Sequence, residues 1–201
     1  MTTFRIAPLE PPYEAAIADE LARWMPPGSP LPPLALFRTL ATDHPLAQAM
    51  WGLGSFLLSR RLALPLRERE IVIDRVCARC GCEYEWGVHA AAFAAAAGLS
   101  EAEIAASCAP AGDATGWNGR EALLVRLVDE LHDTGHVGDA LWQQLAAHYD
   151  QRQLLELLVL CGWYHLISFV GNGARVALEP WARRFAPRGE QADLQPGSSA
   201  T

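Results

Sequence analysis

Apolar residues recur along this chain at the three- and four-residue spacing that places side chains on one face of a helix. In residues 120–134, for instance, Leu124, Leu127, Val128 and Leu131 fall on one side. No run shows the alternation of β-branched residues that is typical of a strand. The pattern therefore predicts an all-α protein with roughly eight helices.

Capping residues and glycines set the predicted helix ends. Asp43 can cap a helix that runs through residue 58, and Ser100 with Glu103 forms a capping-box sequence. Gly81 is suited to end a helix because glycine adopts the left-handed conformation without strain. Irregular structure is predicted after Gly171-Asn172-Gly173. The longer predicted helices span residues 13–25, 44–58, 66–79, 83–97, 120–134 and 154–170.

Two of these helices, residues 66–79 and 154–170, are apolar on more than one side. Such helices must be buried all round. In a chain of 201 residues this often means subunit association, so we expect a homo-oligomer. The predicted organisation is an N-terminal helix with a Pro-rich lead-in (1–33), a helical domain (34–188) and a disordered tail (189–201).

Charge and composition limit the classes of partner that this protein is expected to bind. The net charge of −7 and the isoelectric point near 5.3 argue against nucleic acid as the main ligand. No apolar run reaches the length of a membrane span, and the N-terminus lacks the pattern of a signal peptide. We therefore expect a cytoplasmic protein without a membrane partner. Five cysteines, three of them within six residues, do not resemble a secreted disulfide framework, so reduced thiols are expected.

The strongest chemical signal lies between residues 70 and 89. Cys82, Glu85 and His89 are separated by three and four residues, so on a helix they face the same way. Glu70 lies on the preceding predicted helix. These residues bring a thiol, two carboxylates and an imidazole within reach of one another.

An acid/base site is the first interpretation of this pattern. Glu85 can fix the tautomer of His89 and raise its basicity, and Glu70 can complete a proton relay across the helix pair. Trp86 could help to close a pocket, and His165, in an apolar helix, is a second candidate for its wall. No G-x-G-x-x-G or P-loop sequence occurs, so no cofactor is expected.

Other interpretations remain open. Cys82 could be a reactive thiol, although neighbouring carboxylates raise a thiol pKa and neither Cys77 nor Cys80 is a well-placed resolving partner. Cys82, Glu85 and His89 could instead bind zinc with Glu70, but their spacing is not a recognised zinc signature, so no metal is expected. The pair at His132 and His136 favours helix capping or surface placement over a metal site. A Glu/His pair one turn apart can also be an ordinary helix pair.

The order of these features resembles the carboxymuconolactone decarboxylase / alkylhydroperoxidase D-like family. The resemblance is carried by Leu66–Ile73, Gly81–His89 and Ala97–Ser100, with weaker support from Gly162–His165 and Asn172. It implies an all-α, oligomeric, alkylhydroperoxidase D-like helical bundle.

The same resemblance suggests roles for the site residues. Peroxidase members of the family use a C-x-x-C pair, a following His and an upstream Glu. Glu70, Cys82 and His89 match that pattern, but Glu85 stands where the second cysteine would be. Glu85 and His89 are similar to the decarboxylase branch, which usually lacks a thiol at position 82.

These arguments predict a cofactor-independent enzyme of this family that performs decarboxylation, isomerisation or lactone chemistry on a small hydrophobic carboxylate or lactone. His89 is the predicted general acid/base, Glu85 orients it, Glu70 relays protons, and Cys82 lines the pocket. The alternatives are a hydroperoxide-reducing antioxidant protein that uses the Cys82 thiol, and a non-catalytic helical module.

Overall fold

The computed structural model describes residues 4–186, in which ten α-helices and no strand occur. This confirms the predicted all-α class. The predicted disordered tail, residues 189–201, lies outside the described residues. The helices are α1 (Ala15–Trp24), α2 (Ala35–Leu40), α3 (His44–Leu57), α4 (Leu66–Arg79), α5 (Glu83–Ala92), α6 (Ala94–Ala97), α7 (Glu101–Ala106), α8 (Gly119–Thr134), α9 (Asp139–Ala146) and α10 (Gln151–Ala174).

Helix α4 is the centre of the fold and packs against α5, α6, α8 and α10. Ten of its fourteen residues are buried, including five charged side chains. Because a buried charge is costly without a partner, α4 requires ion pairs on its neighbours. The guanidinium of Arg75, for example, donates two hydrogen bonds of 2.8 Å to the carboxylate of Asp129 on α8.

Local sequence signals account for three of the ten helix N-termini in the described part of the chain. Asp43 caps α3, and Ser100 and Asp150 each form a capping box. The predicted helix over 83–97 is divided into α5 and α6 at Phe93, and the helix predicted over 154–170 continues as α10 to Ala174.

Helix α10 is long and apolar enough to cross a membrane by length and composition, with a mean hydropathy of 1.7. The expectation that no apolar run reaches this length was therefore wrong. Half of this apolar window is buried inside the protein, which is typical of a core helix.

The segment after α10 folds back over the start of α5. The carboxylate of Glu179 accepts hydrogen bonds from the Tyr84 hydroxyl (2.8 Å) and the Ala35 amide (2.7 Å). The Arg183 amide donates to the Gly87 carbonyl at 3.0 Å. A Cβ atom on Gly87 would lie 2.2 Å from the Arg183 carbonyl oxygen, so this close backbone approach requires glycine.

We expect Gly87→Ala to destabilise the fold by about 1–3 kcal/mol, because the added methyl group must push the 179–185 segment away from α5. Urea denaturation measures this change. Gly52→Ala is the matched control, since Gly52 is also helical but a Cβ there meets nothing within 4 Å; we expect it to be neutral or to stabilise by about 0.5–1 kcal/mol. Equal effects of the two substitutions would contradict this account of the backbone contact.

Candidate functional site

An apolar cavity of about 450 Å³ lies between α1, α3, α5 and α10. Helix α5 contributes Glu85, Val88, His89 and Ala92, and Phe93 follows as its C-cap residue. These residues recur at helical spacing and therefore form one face. Most of the remaining wall is aromatic or aliphatic. Its larger side chains include Trp24, Leu34, Phe37, Trp51, Leu58, Trp163, Ile167 and Trp181.

The side chain of His89 connects this cavity to the charged groups of α4. It is 3% exposed, and its Nδ1–H donates a hydrogen bond of 2.7 Å to Oε2 of Glu70. Its Nε2 lies 3.1 Å from the hydroxyl of Tyr164 and 3.5 Å from Oε1 of Glu85. Of the two ring nitrogens of His89, Nε2 is therefore the one that lies among cavity-lining groups. Glu70 contacts the ring from the opposite side, at Nδ1.

Glu70 is fixed from its other side by Arg69. The Arg69 Nε–H donates to Oε1 of Glu70 at 2.7 Å, and the same guanidinium donates to the Leu58 carbonyl at 3.1 Å. Both Glu70 oxygens therefore accept charge-assisted hydrogen bonds, which fix the carboxylate and, through it, the His89 ring.

Burial and neighbouring charges shift the pKa values of His89 and Glu70 in opposite directions. Burial alone would lower the pKa of His89, but the carboxylates of Glu70 and Glu85 raise it to about 10. Burial likewise opposes ionisation of Glu70, yet the adjacent His89 and Arg69 hold its pKa below the ordinary value. At neutral pH the pair is therefore an imidazolium and a carboxylate.

Asp74 lies one helical turn after Glu70 and is 1% exposed. Its Oδ1 atom has no hydrogen-bond partner within the described part of the chain. Burial raises the pKa of this carboxyl group to about 8, with His89 opposing the rise and Glu70 adding to it. Asp74 is therefore mainly a neutral acid at pH 7, and it adds little negative charge behind the imidazolium.

Cys82 differs from expectation in its position. It precedes α5 as the N-cap residue, is fully buried and does not line the cavity. The Sγ atom packs against α10, where a Cβ on Gly171 would lie 3.2 Å from it. Burial raises the pKa of the Cys82 thiol to about 11, so the neutral thiol is the resting form.

The two second-tier pocket residues also lie elsewhere. Trp86 turns away from the cavity, because its Nε1–H donates to the Ser107 hydroxyl at 2.9 Å and its ring packs on Phe185. His165 faces His132 on α8, at 3.0 Å between ring nitrogens. Neither is among the residues that line this cavity.

Two residues that contact Glu70 or His89 were not predicted from the sequence, namely Arg69 and Tyr164. Arg69 directly precedes Glu70, but α4 carries several other charged residues, so the sequence did not single out Arg69. Tyr164 lies 75 residues from His89, and nothing local in the sequence indicates that contact.

The zinc site considered from sequence at Glu70, Cys82, Glu85 and His89 is not formed. Across residues 4–186, one group of three potential ligands comes close enough to hold an ion, and it consists of Cys80, His132 and His165.

Comparison with known proteins agrees with this architecture. The sequence profile of the carboxymuconolactone decarboxylase family matches residues 45–128, which include α4, α5 and most of α8. No curated protein sequence matches the chain.

Several solved structures share the fold. The debrominase Bmp8, in a cysteine-to-alanine variant bound to 2,3,4-tribromopyrrole, is similar with a TM-score of 0.67 at 13% identity, over 87% of this chain and 91% of that one. A candidate antioxidant-defence protein AhpD of unknown function, from Agrobacterium tumefaciens, gives 0.59 at 22% identity, over 69% and 94%. A peroxidase-related protein from Silicibacter sp. TM1040 gives 0.61 at 14% identity, over 75% and 80%.

Identities this low establish the fold alone, and they confirm the expected alkylhydroperoxidase D-like helical architecture. The profile match covers the segment that carries Glu70, Glu85 and His89. Residues 45–128 of this chain are therefore similar to the carboxymuconolactone decarboxylase family.

Proposed function

We propose that this protein is a cofactor-independent enzyme that performs acid/base chemistry on a small hydrophobic carboxylate or lactone. The observation that carries the proposal is the buried His89 ring, hydrogen-bonded from behind to Glu70, with Nε2 among the groups that line an apolar cavity. Decarboxylation, isomerisation and lactone chemistry all require a proton donor or acceptor in such a position.

Decarboxylation illustrates how the residues would act. The substrate's C–CO₂ bond breaks, and its electron pair enters the substrate's own conjugated carbonyl group. His89 then donates its Nε2 proton to the resulting carbanion, and the neutral imidazole regains a proton from solvent. Glu70 stabilises the imidazolium, while Glu85 and Tyr164 orient Nε2 at 3.5 and 3.1 Å.

The cavity indicates the class of substrate. Its volume of about 450 Å³ suits a small molecule, and its aromatic walls favour an apolar body. Arg23 is the one cationic side chain other than His89 among the residues that line it, and its guanidinium stacks on Trp51 at 4.0 Å. A substrate carboxylate could pair with Arg23 at the wall while its reacting carbon approaches His89.

The alternative function is thiol-based peroxide reduction through Cys82. The names of the AhpD-like, peroxidase-related and debrominase structures keep this alternative relevant. Against it, the Cys82 thiol is buried, outside the cavity wall, and its raised pKa of about 11 disfavours the reactive thiolate.

A non-catalytic helical module is a third alternative. The position of His89 among the residues that line an apolar cavity favours a catalytic role over it.

We also propose a cytoplasmic homo-oligomer. Helix α10 leaves Leu155, Val159, Leu166 and Phe169 exposed, at spacings of four, seven and three residues. This heptad-like spacing forms one apolar stripe, which a second copy of α10 could cover.

The central prediction concerns activity. His89→Ala should abolish turnover of carboxylated unsaturated lactones, and Glu70→Gln should lower kcat by about 100-fold or more because the imidazolium loses its counter-charge. Turnover is measured as CO₂ release, together with deuterium uptake into product in D₂O.

Cys82→Ser is the matched control, because it changes a buried residue about two helical turns before His89 without touching the proton donor. We expect it to retain turnover. If Cys82→Ser instead abolishes activity, and the wild-type protein reduces hydroperoxides with a dithiol, the thiol alternative replaces the acid/base function.

A second prediction concerns pH. Since the pKa of His89 is raised from 6.5 to about 10, the acid form persists through neutral pH and is lost as pH rises through about 10. Nitrogen-15 NMR of labelled histidine should show both ring nitrogens of His89 protonated at pH 8, with His89→Ala identifying the signal. Glu70→Gln should lower this pKa. A neutral His89 ring at pH 8 in the wild-type protein would remove the proposed proton donor.

The oligomer prediction is tested at the apolar stripe. Phe169, 69% exposed, lies on the stripe, and Phe169→Glu should reduce the molar mass measured by light scattering towards that of the single chain. Leu46→Glu, at a 49% exposed position on α3, should leave the mass unchanged. A wild-type protein that is monomeric at micromolar concentration would refute association.

A further inference from the structure

A cluster of potential metal ligands lies outside the cavity, where three helices meet. Cys80 is the C-cap residue of α4, His132 is in the last turn of α8, and His165 is in α10. One ligand atom from each lies within 4.8 Å of the other two. We propose that Cys80, His132 and His165 bind a divalent transition-metal ion, and that the donor set of one thiolate and two imidazoles favours zinc.

The distances are close to those that a tetrahedral ion needs. Zinc bonds of about 2.3 Å to sulfur and 2.0–2.1 Å to nitrogen imply about 3.6 Å between sulfur and nitrogen ligands and about 3.3 Å between nitrogens. Here Sγ of Cys80 lies 3.9 Å from Nδ1 of His132, which lies 3.0 Å from Nε2 of His165. The third pair, Sγ of Cys80 and Nε2 of His165, lies within 4.8 Å. Shifts of up to about 1 Å would therefore complete three corners of a tetrahedron.

Neighbouring groups orient two of the three ligands. Nδ1–H of His165 donates to the Cys161 carbonyl at 2.9 Å, which leaves Nε2 with its lone pair directed at the cluster. A hydrogen bond from the second ring nitrogen to a carbonyl is common for histidines that bind zinc. Asn172 donates to the carbonyl of Cys80 at 2.9 Å and fixes the backbone that carries the thiol.

The protonation states also suit a metal ion. Burial, the positive charge of Arg79 and the neighbouring His165 lower the pKa of His132, so its ring is neutral at pH 7. The neutral imidazole is the form that binds a metal ion. Burial raises the pKa of the Cys80 thiol, so this group is protonated in the free protein.

The metal site is separate from the proposed catalytic site. None of its three residues lines the cavity. All three are half-buried, which leaves room for a water molecule as the fourth ligand, and the ion would tie α4, α8 and α10 together. Its test therefore needs no assay of turnover.

The test uses the full chain after treatment with a chelator. Zinc is titrated in competition with a chromophoric chelator, and cobalt(II) is titrated as a spectroscopic probe. We expect one ion per chain, visible cobalt bands of tetrahedral intensity, and a thiolate-to-cobalt charge-transfer band. Zinc should also raise the midpoint of thermal unfolding.

Variants identify the ligands. Cys80→Ser should remove the charge-transfer band, and His132→Ala or His165→Ala should weaken zinc binding by at least about 100-fold. Cys108→Ser and His136→Ala, at exposed positions, should bind as the wild-type protein does.

Two results would overturn the proposal. The first is wild-type protein that binds less than one ion per chain, or cobalt without a charge-transfer band, which is decisive even where a variant does not fold. The second is undiminished zinc affinity in Cys80→Ser and both histidine variants.

Discussion

The buried ion pair between Glu70 and His89 is the constraint on which the rest of the site depends. Two opposite charges inside an apolar core are stable only while each stays paired, and removing one partner of such a pair typically costs about 3–5 kcal/mol. Arg69 and Glu85 extend the pair so that positive and negative groups alternate. The burial of α4 on all sides makes this alternation necessary, because water cannot solvate charges there.

The same constraint gives the two sides of the His89 ring different surroundings. One side contacts charged groups of α4, and the other side lies at the apolar cavity. Glu70 and Arg69 lie behind the imidazole, while Nε2, Glu85 and Tyr164 lie at the cavity. In an apolar cavity, a single proton donor interacts more strongly with developing negative charge on the substrate, since little solvent competes with it. This arrangement supports chemistry in which the substrate supplies its own electron sink and the protein supplies a proton.

Features set by residues close together in the chain could be predicted from the sequence, whereas contacts between distant segments could not. The bounds of α4 and the shared face of Glu85 and His89 follow from periodicity and the glycine at 81, and both were predicted correctly. The glycine at 171 was misinterpreted as a helix end. It instead allows the close approach of Cys82 to α10, a contact between distant segments. Tyr164 and the Cys80 cluster were missed for the same reason, because each is created by the packing of α10 against α4, α5 or α8.

Helix α10 links the two sites. Consecutive residues on a helix point about 100° apart, so Tyr164 reaches His89 while His165 reaches His132. An ion at Cys80, His132 and His165 would fix α10 against the end of α4, close to where Tyr164 contacts the imidazole. The metal would then stabilise the geometry of the proton donor without taking part in proton transfer. Loss of the ion should therefore affect stability first, and turnover only as far as the contact between Tyr164 and His89 loosens.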